Sequence, residues 1–398
     1  MTNVFTPFAK PLYVMLKPIG SVCNLRCKYC YYLDKKQFYP EEKRYVMSDE
    51  FLELFTRQYI ESQTMFDVLF TWHGGETLMR NIDFYKKALF FQQKYAQGKR
   101  IDNSIQTNGT LLTDDWCKFF KDNNFLVGIS IDGPQHCHDK YRRTADGRPS
   151  FVQVMRGLEL LKKHGVEYNI MGVVNDYNVD YPLEFYNFFK ATDSRFIQFS
   201  PIVEVLPDGS PASWNVPSRK WGDFLIAIFD EWVRNDVGEF FIQYFDSTLA
   251  NWVGENPGSC IWAKTCGHAG VMEFNGDVYS CDHFVYPENK LGNIRNETLL
   301  EMMYSEEQLR FGQEKQSNLS QQCKECEFLF ACNGECPKNR ILKTPFGENI
   351  NYLCEGYYKY FKHVAPYMDF MKKELHAQRP PTNIMEEIKK NNNFASRD

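Results

Sequence analysis

Cys23, Cys27 and Cys30 form a C-x3-C-x2-C run just after an apolar stretch, Leu12 to Leu16, that has the pattern of a strand. Three thiolates can hold three irons of a [4Fe–4S] cube and leave the fourth without a protein ligand, so a small chelating molecule can bind there and accept an electron. A structural zinc site wants four ligands, and no nearby Cys or His completes this set. A second group comprises Cys260, Cys266, Cys281, Cys323, Cys326, Cys332, Cys336 and Cys354. Eight thiolates suffice for two clusters with four protein ligands each. C-x2-C pairs alone also suit zinc ribbons, but a zinc scaffold has no use for an open three-ligand site. Of the other two cysteines, Cys117 sits in a helical pattern and reads as a small buried hydrophobe. Cys137 lies between His136 and His138, and alternating residues on a loop make a poor chelate.

These cysteines need a scaffold, and the chain from Leu12 to about Val233 supplies a repeating one. Strand patterns fall at Leu12 to Leu16, Val68 to Trp72, Ser104 to Gln106, Leu126 to Ile131, Tyr168 to Val174 and Phe196 to Phe199. Helical patterns lie between them: Phe51, Phe55 and Tyr59 after a Ser48 cap, Phe84 to Tyr95, Asp115 to Asp122, Phe151 to His164 closed by Gly165, and Pro182 to Lys190. Six strand–helix units predict an α/β fold, a partial (β/α)6 barrel with its chemistry at the carboxyl ends of the strands. After about Gly254 the periodicity becomes patchy and the cysteines crowd. The expected division is a barrel over residues 1–254, a small iron–sulfur-stapled domain over 255–377, and a weakly ordered tail over 378–398 containing Pro380, Pro381 and an Asn391 to Asn393 run.

Composition narrows the function classes. The 398 residues are 43% hydrophobic and 24% charged, enough for a large core. A formal charge of −5 without a Lys/Arg-rich run gives no field for a phosphate backbone, so nucleic acid is not an expected partner. Met1 to Lys17 offers no uninterrupted apolar signal region, and stretches such as Phe224 to Phe229 are too short to span a bilayer. A cytoplasmic protein without membrane association is expected, and in that reducing compartment clustered cysteines point to metal rather than disulfides.

With these features the chain resembles the radical SAM superfamily. His73-Gly74-Gly75-Glu76 follows the second strand, Ser130 ends the fourth, Arg142 comes ten residues after Asp132, and Val203 lies just beyond the sixth strand. The resemblance implies that Tyr29, Gly75, Ser130, Arg142 and Val203 contact S-adenosylmethionine (SAM), bound to a [4Fe–4S] cluster on Cys23, Cys27 and Cys30. Each of these positions also suits an ordinary capping or solvated residue. The later spacing, C-x9-G-x4-C from Cys266 through Gly276 to Cys281 and then Cys323-x2-Cys326-x5-Cys332-x3-Cys336 and Cys354, is similar to the seven-cysteine SPASM module. That likeness implies auxiliary cluster I on Cys260, Cys266, Cys281 and Cys336, and auxiliary cluster II on Cys323, Cys326, Cys332 and Cys354, making three [4Fe–4S] clusters.

Within that group, the segments Cys23 to Tyr32, Trp72 to Thr77, Gln106 to Leu111, Gly128 to Pro134, Gln198 with its following loop, and Cys266 to Asn293 resemble the anaerobic sulfatase-maturating enzymes, and the likeness runs from about Leu12 to Met371. It implies oxidation of a Cys or Ser to Cα-formylglycine (3-oxoalanine) on an unfolded sulfatase carrying Cys/Ser-x-Pro-x-Arg. A low-potential electron donor such as flavodoxin or ferredoxin is implied with it. Asp282, next to Cys281, matches the family's catalytic base. An Asp capping a turn is the plainer reading of that residue; Tyr32, two residues past Cys30, suits equally a place bordering the substrate and an aromatic packed against the cluster. A sibling enzyme that forms thioether or carbon–carbon cross-links in a peptide shares every cluster, and an iron–sulfur electron carrier or zinc scaffold is the non-enzymatic alternative.

Overall fold

The computed structural model describes residues 11–390; the Asn391 to Asn393 run and the first ten residues lie outside them. Twelve strands run along the described chain: β1 (Tyr13–Lys17), β2 (Asp67–Trp72), β3 (Arg100–Thr107), β4 (Phe125–Ser130), β5 (Tyr168–Val174), β6 (Phe196–Pro201), β7 (Phe241–Ile242), β8 (Ala269–Glu273), β9 (Asp277–Tyr279), β10 (Lys290–Asn293), β11 (Leu342–Lys343) and β12 (Asn349–Ile350). The chain divides into two compact units. The first takes residues up to 130, 142–168 and 267–313; the second takes 131–141, 169–266 and 314 onward.

In the first unit the strands lie in the order β10-β9-β8-β1-β2-β3-β4. β1 to β4 are parallel neighbours, as expected of strands joined by helical crossovers. Side-chain caps start the helices: Ser48 accepts from the Phe51 amide, Asn81 from Phe84 and Thr113 from Trp116. Helix Asp49–Glu61 buries Phe55 and Tyr59 against Phe70 of β2, with ring centroids 6.0 and 5.1 Å apart. On its other side β1 pairs in parallel with β8, in a register that sets Lys17 opposite Glu273. β9 and β10 extend that edge antiparallel. β1 is therefore flanked by β2 and β8, and this sheet is open rather than a closed ring.

The second unit holds the parallel run β5-β6-β7 and three long helices, Ser218–Asn235, Gln243–Val253 and Cys354–His376. Helices Ser218–Asn235 and Cys354–His376 touch backbone to backbone. A Cβ on Gly356 would fall 2.1 Å from the Ser218 carbonyl oxygen, and one on Gly222 2.6 Å from that of Gly356. This close approach fixes the first turn of the helix that begins at Cys354. Trp221, Tyr244, Trp262 and Tyr357 pack edge to face beside it.

All six expected β/α strands appear, the third extended to eight residues, and helix Phe151–His164 ends on Gly165 at φ +62°. Residues 267–313 belong to the first unit, although they lie within the expected iron–sulfur domain and carry Cys281. Part of the expected tail is ordered: Asn383–Lys390 is a helix with Ile384 buried. Among the described residues no helix is long and apolar enough to cross a membrane.

Candidate active site

The cysteine loop starts where β1 ends, and the turn after β2 pins it. The Gly75 amide donates to the Gly20 carbonyl (2.7 Å) and the Glu76 amide to that of Val22 (2.8 Å). A Cβ on Gly75 would lie 1.9 Å from the Val22 oxygen, so only glycine permits this approach. The buried Glu76 carboxylate accepts from the Leu78 amide, the Thr107 hydroxyl (2.6 Å) and the Asn108 amide (2.7 Å), tying the turn to the end of β3. Asn108 in turn points its Nδ2 at Cys23 Sγ (3.7 Å) and at Asn24 Oδ1 (2.9 Å). The Leu25 amide lies 3.3 Å from Cys23 Sγ, and the Arg26 amide donates to the Arg143 carbonyl (2.7 Å).

Cys23, Cys27, Cys30, Tyr29, Gly75, Ser130 and Arg142 thus belong to one unit. The Arg142 guanidinium lies 5.7 Å from the centroid of the buried Tyr29 ring, and the Ser130 hydroxyl accepts from Gln106 (2.9 Å). Val203 is in the second unit, buried, its carbonyl accepting from Lys338 Nζ (2.7 Å). Burial pushes the Cys23 thiol up to about 11. It also raises Cys30, against the amides of Tyr32 and Leu33 and the charges of Arg142 and Lys17.

A network of charged and polar side chains, also in the first unit, surrounds Asp282. Lys17 is fully buried. Its ammonium pairs with Asp282 Oδ1, lies 3.0 Å from His73 Nδ1 and sits 4.3 Å above the Tyr32 ring centroid. The Gly74 amide also donates to His73 Nδ1 (2.8 Å), so that nitrogen is an acceptor and the ring proton is assigned to Nε2. Burial, with Lys17 second, holds the imidazole down at about 3. The Tyr31 hydroxyl donates to Asp282 Oδ2, and its ring lies 4.6 Å from that of His283. Burial works to raise the Asp282 carboxyl, but Lys17, with His73 and His283, outweighs it and holds the group below the usual carboxylate range. The Tyr32 hydroxyl donates to Glu273, whose carboxyl burial pushes up to about 7.

The eight later cysteines fall in three places. In the second unit Lys315 is buried and donates to the carbonyls of Cys260 (2.7 Å) and Ile261 (2.8 Å). Burial disfavours its charge, while Cys266, Glu335, Cys260 and Cys336 favour it, which places those four groups around the ammonium. Cys281, in the first unit, bears on Tyr31 together with Cys30. Cys323, Cys326, Cys332 and Cys354 all line one cavity of about 610 Å³ in the second unit. Cys323 is in a short helix capped by Ser320, Cys332 ends one closed by Asn333 at φ +48°, and Cys354 begins the long helix.

None of the thirteen cysteines is in a disulfide. Four of them on one cavity, with Cys354 pushed up to about 11 by burial, suit a group that brings its own positive charge, as iron does. The three-cysteine loop, lying between the Gly75 turn and Arg142, suits a cluster with one open iron.

Sequence reasoning missed Lys17, His73 as a bonded imidazole, Tyr31, Glu273 and Lys315. Lys17 ends a strand and reads as a solvated end residue; only its register with β8 gives it a buried role. Adjacency to Cys30 was the one available signal for Tyr31.

Comparisons with known proteins agree with this arrangement. Residues 18–189 match the Radical SAM superfamily model and residues 266–327 the SPASM model, an iron–sulfur cluster-binding domain. The chain is 64% identical to a serine-type anaerobic sulfatase-maturating enzyme of Bacteroides thetaiotaomicron, over 97% of each chain. It is 35% identical to a cysteine-type enzyme of Clostridium novyi, over 92% of this chain and 98% of the other. The solved structure of native anSMEcpe with bound AdoMet and Cp18Cys peptide superposes with a TM-score of 0.84 at 30% identity, covering 92% of this chain and all of that one.

Proposed function

The chain belongs to the anaerobic sulfatase-maturating enzymes of the radical SAM superfamily, and from that membership we infer that it oxidises a sulfatase side chain to Cα-formylglycine without dioxygen. Likeness over 97% of both chains to a serine-type enzyme carries this reading. The Asp282 carboxylate, half-buried and one residue after Cys281, supports it chemically.

When bound, the iron–sulfur clusters and SAM supply a deoxyadenosyl radical that abstracts hydrogen and an acceptor for one electron. The protein's task is the proton. Loss of a hydrogen atom from Cβ, a proton from the hydroxyl and one electron turns a Ser side chain into the aldehyde; a Cys gives a thioaldehyde that water hydrolyses. Asp282 takes the proton as general base, its Oδ1 held by Lys17 and its Oδ2 bonded by Tyr31. Tyr29, Gly75, Ser130, Arg142 and Val203 hold SAM against a cluster on Cys23, Cys27 and Cys30. Cys260, Cys266, Cys281 and Cys336 hold auxiliary cluster I, and Cys323, Cys326, Cys332 and Cys354 auxiliary cluster II; their shared cavity supports the latter set. In this reading residues 1–254 carry the radical chemistry and 255–377 the auxiliary clusters, a low-potential donor such as flavodoxin or ferredoxin supplies electrons, and the enzyme works in the cytoplasm.

Serine is the preferred target, because identity to the serine-type relative (64%) far exceeds that to the cysteine-type one (35%). Anaerobic incubation with SAM, a reductant and sulfatase-derived peptides carrying Ser-x-Pro-x-Arg or Cys-x-Pro-x-Arg tests this. Formylglycine should form faster from the Ser peptide. Failure to convert either peptide, or cross-linking within it, contradicts the reading.

A further inference from the structure

We propose that Lys17 is the positioning residue for proton removal: its ammonium locks the Oδ1 edge of Asp282, so that the substrate proton is received at the Oδ2 edge, beside the Tyr31 hydroxyl. The inference rests on the reading of Asp282 as the base.

An ammonium has three donor hydrogens, and Lys17 has three partners for them. The buried Asp282 Oδ1 forms an ion pair with it, His73 Nδ1 lies at 3.0 Å, and the face of the Tyr32 ring lies 4.3 Å away. With these neighbours and no surface exposed, Lys17 acts through Asp282. The three partners come from the turn after β2, the cysteine loop and the turn after β9, so this one cation on β1 ties His73 and Tyr32 to the base. His73 has a defined part: the Gly74 amide (2.8 Å) and Lys17 both point at Nδ1, which keeps the imidazole an acceptor on that side and fixes the lysine. Tyr32 is fixed in turn by its bond to Glu273, the register partner of Lys17 on β8. A proton delivered at the buried Oδ1 edge would have to break the ion pair and leave the buried Lys17 ammonium uncompensated; at Oδ2 it displaces the hydroxyl of Tyr31, which carries no charge to be stranded.

The test compares wild-type holoenzyme with Lys17→Met, Lys17→Gln, Lys17→Arg, Asp282→Asn and the Lys17→Met/Asp282→Asn double variant at matched iron content. Formylglycine per deoxyadenosine and the solvent deuterium isotope effect are measured on the Ser peptide. Both neutral variants should lower the ratio on the order of 10- to 100-fold and enlarge the isotope effect, because proton removal becomes the slow step. Arg should restore part of the ratio, and the double variant should be no worse than Asp282→Asn alone. If Lys17→Met does not accumulate, Lys17→Gln carries the same comparison. A wild-type ratio in the neutral variants, or a further loss in the double variant, overturns the inference while Asp282 stands as base. A wild-type ratio in Asp282→Asn overturns the base assignment and this inference with it.

Discussion

Lys17 in the first unit and Lys315 in the second are both buried, yet their partners differ in kind. Lys17 is met by a carboxylate, an imidazole nitrogen and a ring face. Lys315 donates to two backbone carbonyls, those of Cys260 and Ile261, and has thiols and Glu335 around it. A buried cation bonded to a carboxylate is already compensated, so the Lys17 region is organised for proton handling by the polypeptide alone. A buried cation among thiols finds compensating charge when those thiols ionise, as they do on binding iron. On the proposed reading, the Lys17 region handles the proton, the Lys315 region helps to hold a cluster, and the Cys23 to Cys30 loop is the source of the radical.

The largest break in this contrast comes from replacing Cys23, Cys27 and Cys30 together by Ala. Deoxyadenosine formation should fall to background while about eight of roughly twelve irons per chain remain, as read by chromatography and iron analysis. Retained SAM cleavage would place the radical source elsewhere. A smaller loss is expected from Cys326→Ala with Cys354→Ala, which removes two of the four thiols on the 610 Å³ cavity. About four irons should be lost and SAM cleavage should continue; unchanged iron content would separate the cavity from any cluster.

The smallest effect lies beside Lys17. The Glu273 carboxyl is raised from 4.5 to about 7 by burial, against the pull of Tyr32 and Lys17 and with Asp282 and Asp277 adding to the rise. Between those values the folded chain keeps a proton that the unfolded chain releases, so wild-type stability declines as pH rises through the window. Glu273→Gln does not titrate. From pH 4.5 to 8 its stability relative to wild type should improve by up to about 3 kcal/mol, measured by urea unfolding under anaerobic conditions. A difference that stays constant with pH would mean Glu273 is ionised throughout.

Much of this molecule was legible before its structure. The six strands follow from short apolar runs, and the Ser48 cap and Gly165 stop follow from local chemistry. The cysteine sets came from spacing and family resemblance. What stayed hidden was non-local. Lys17 meets Asp282 only because β8 pairs with β1, a pairing that no periodicity near either residue announces. Helix Cys354–His376 escaped because Pro366 interrupts its interior, and its position rests on Gly222 and Gly356 meeting across two helices. The 267–313 segment shows only patchy periodicity, yet it supplies β8, β9 and β10 to the first sheet.

The separation of proton removal from radical generation is tested most directly by counting deoxyadenosine and formylglycine in the same anaerobic reaction of Asp282→Asn, at iron content matched to wild type. The substitution nearly preserves shape and removes the basic carboxylate. Formylglycine should fall on the order of 100- to 10,000-fold while deoxyadenosine continues to form. Formylglycine at the wild-type rate would contradict the assignment, leaving Asp282 a turn residue; equal loss of both products would show that the two chemistries are not separable at this residue.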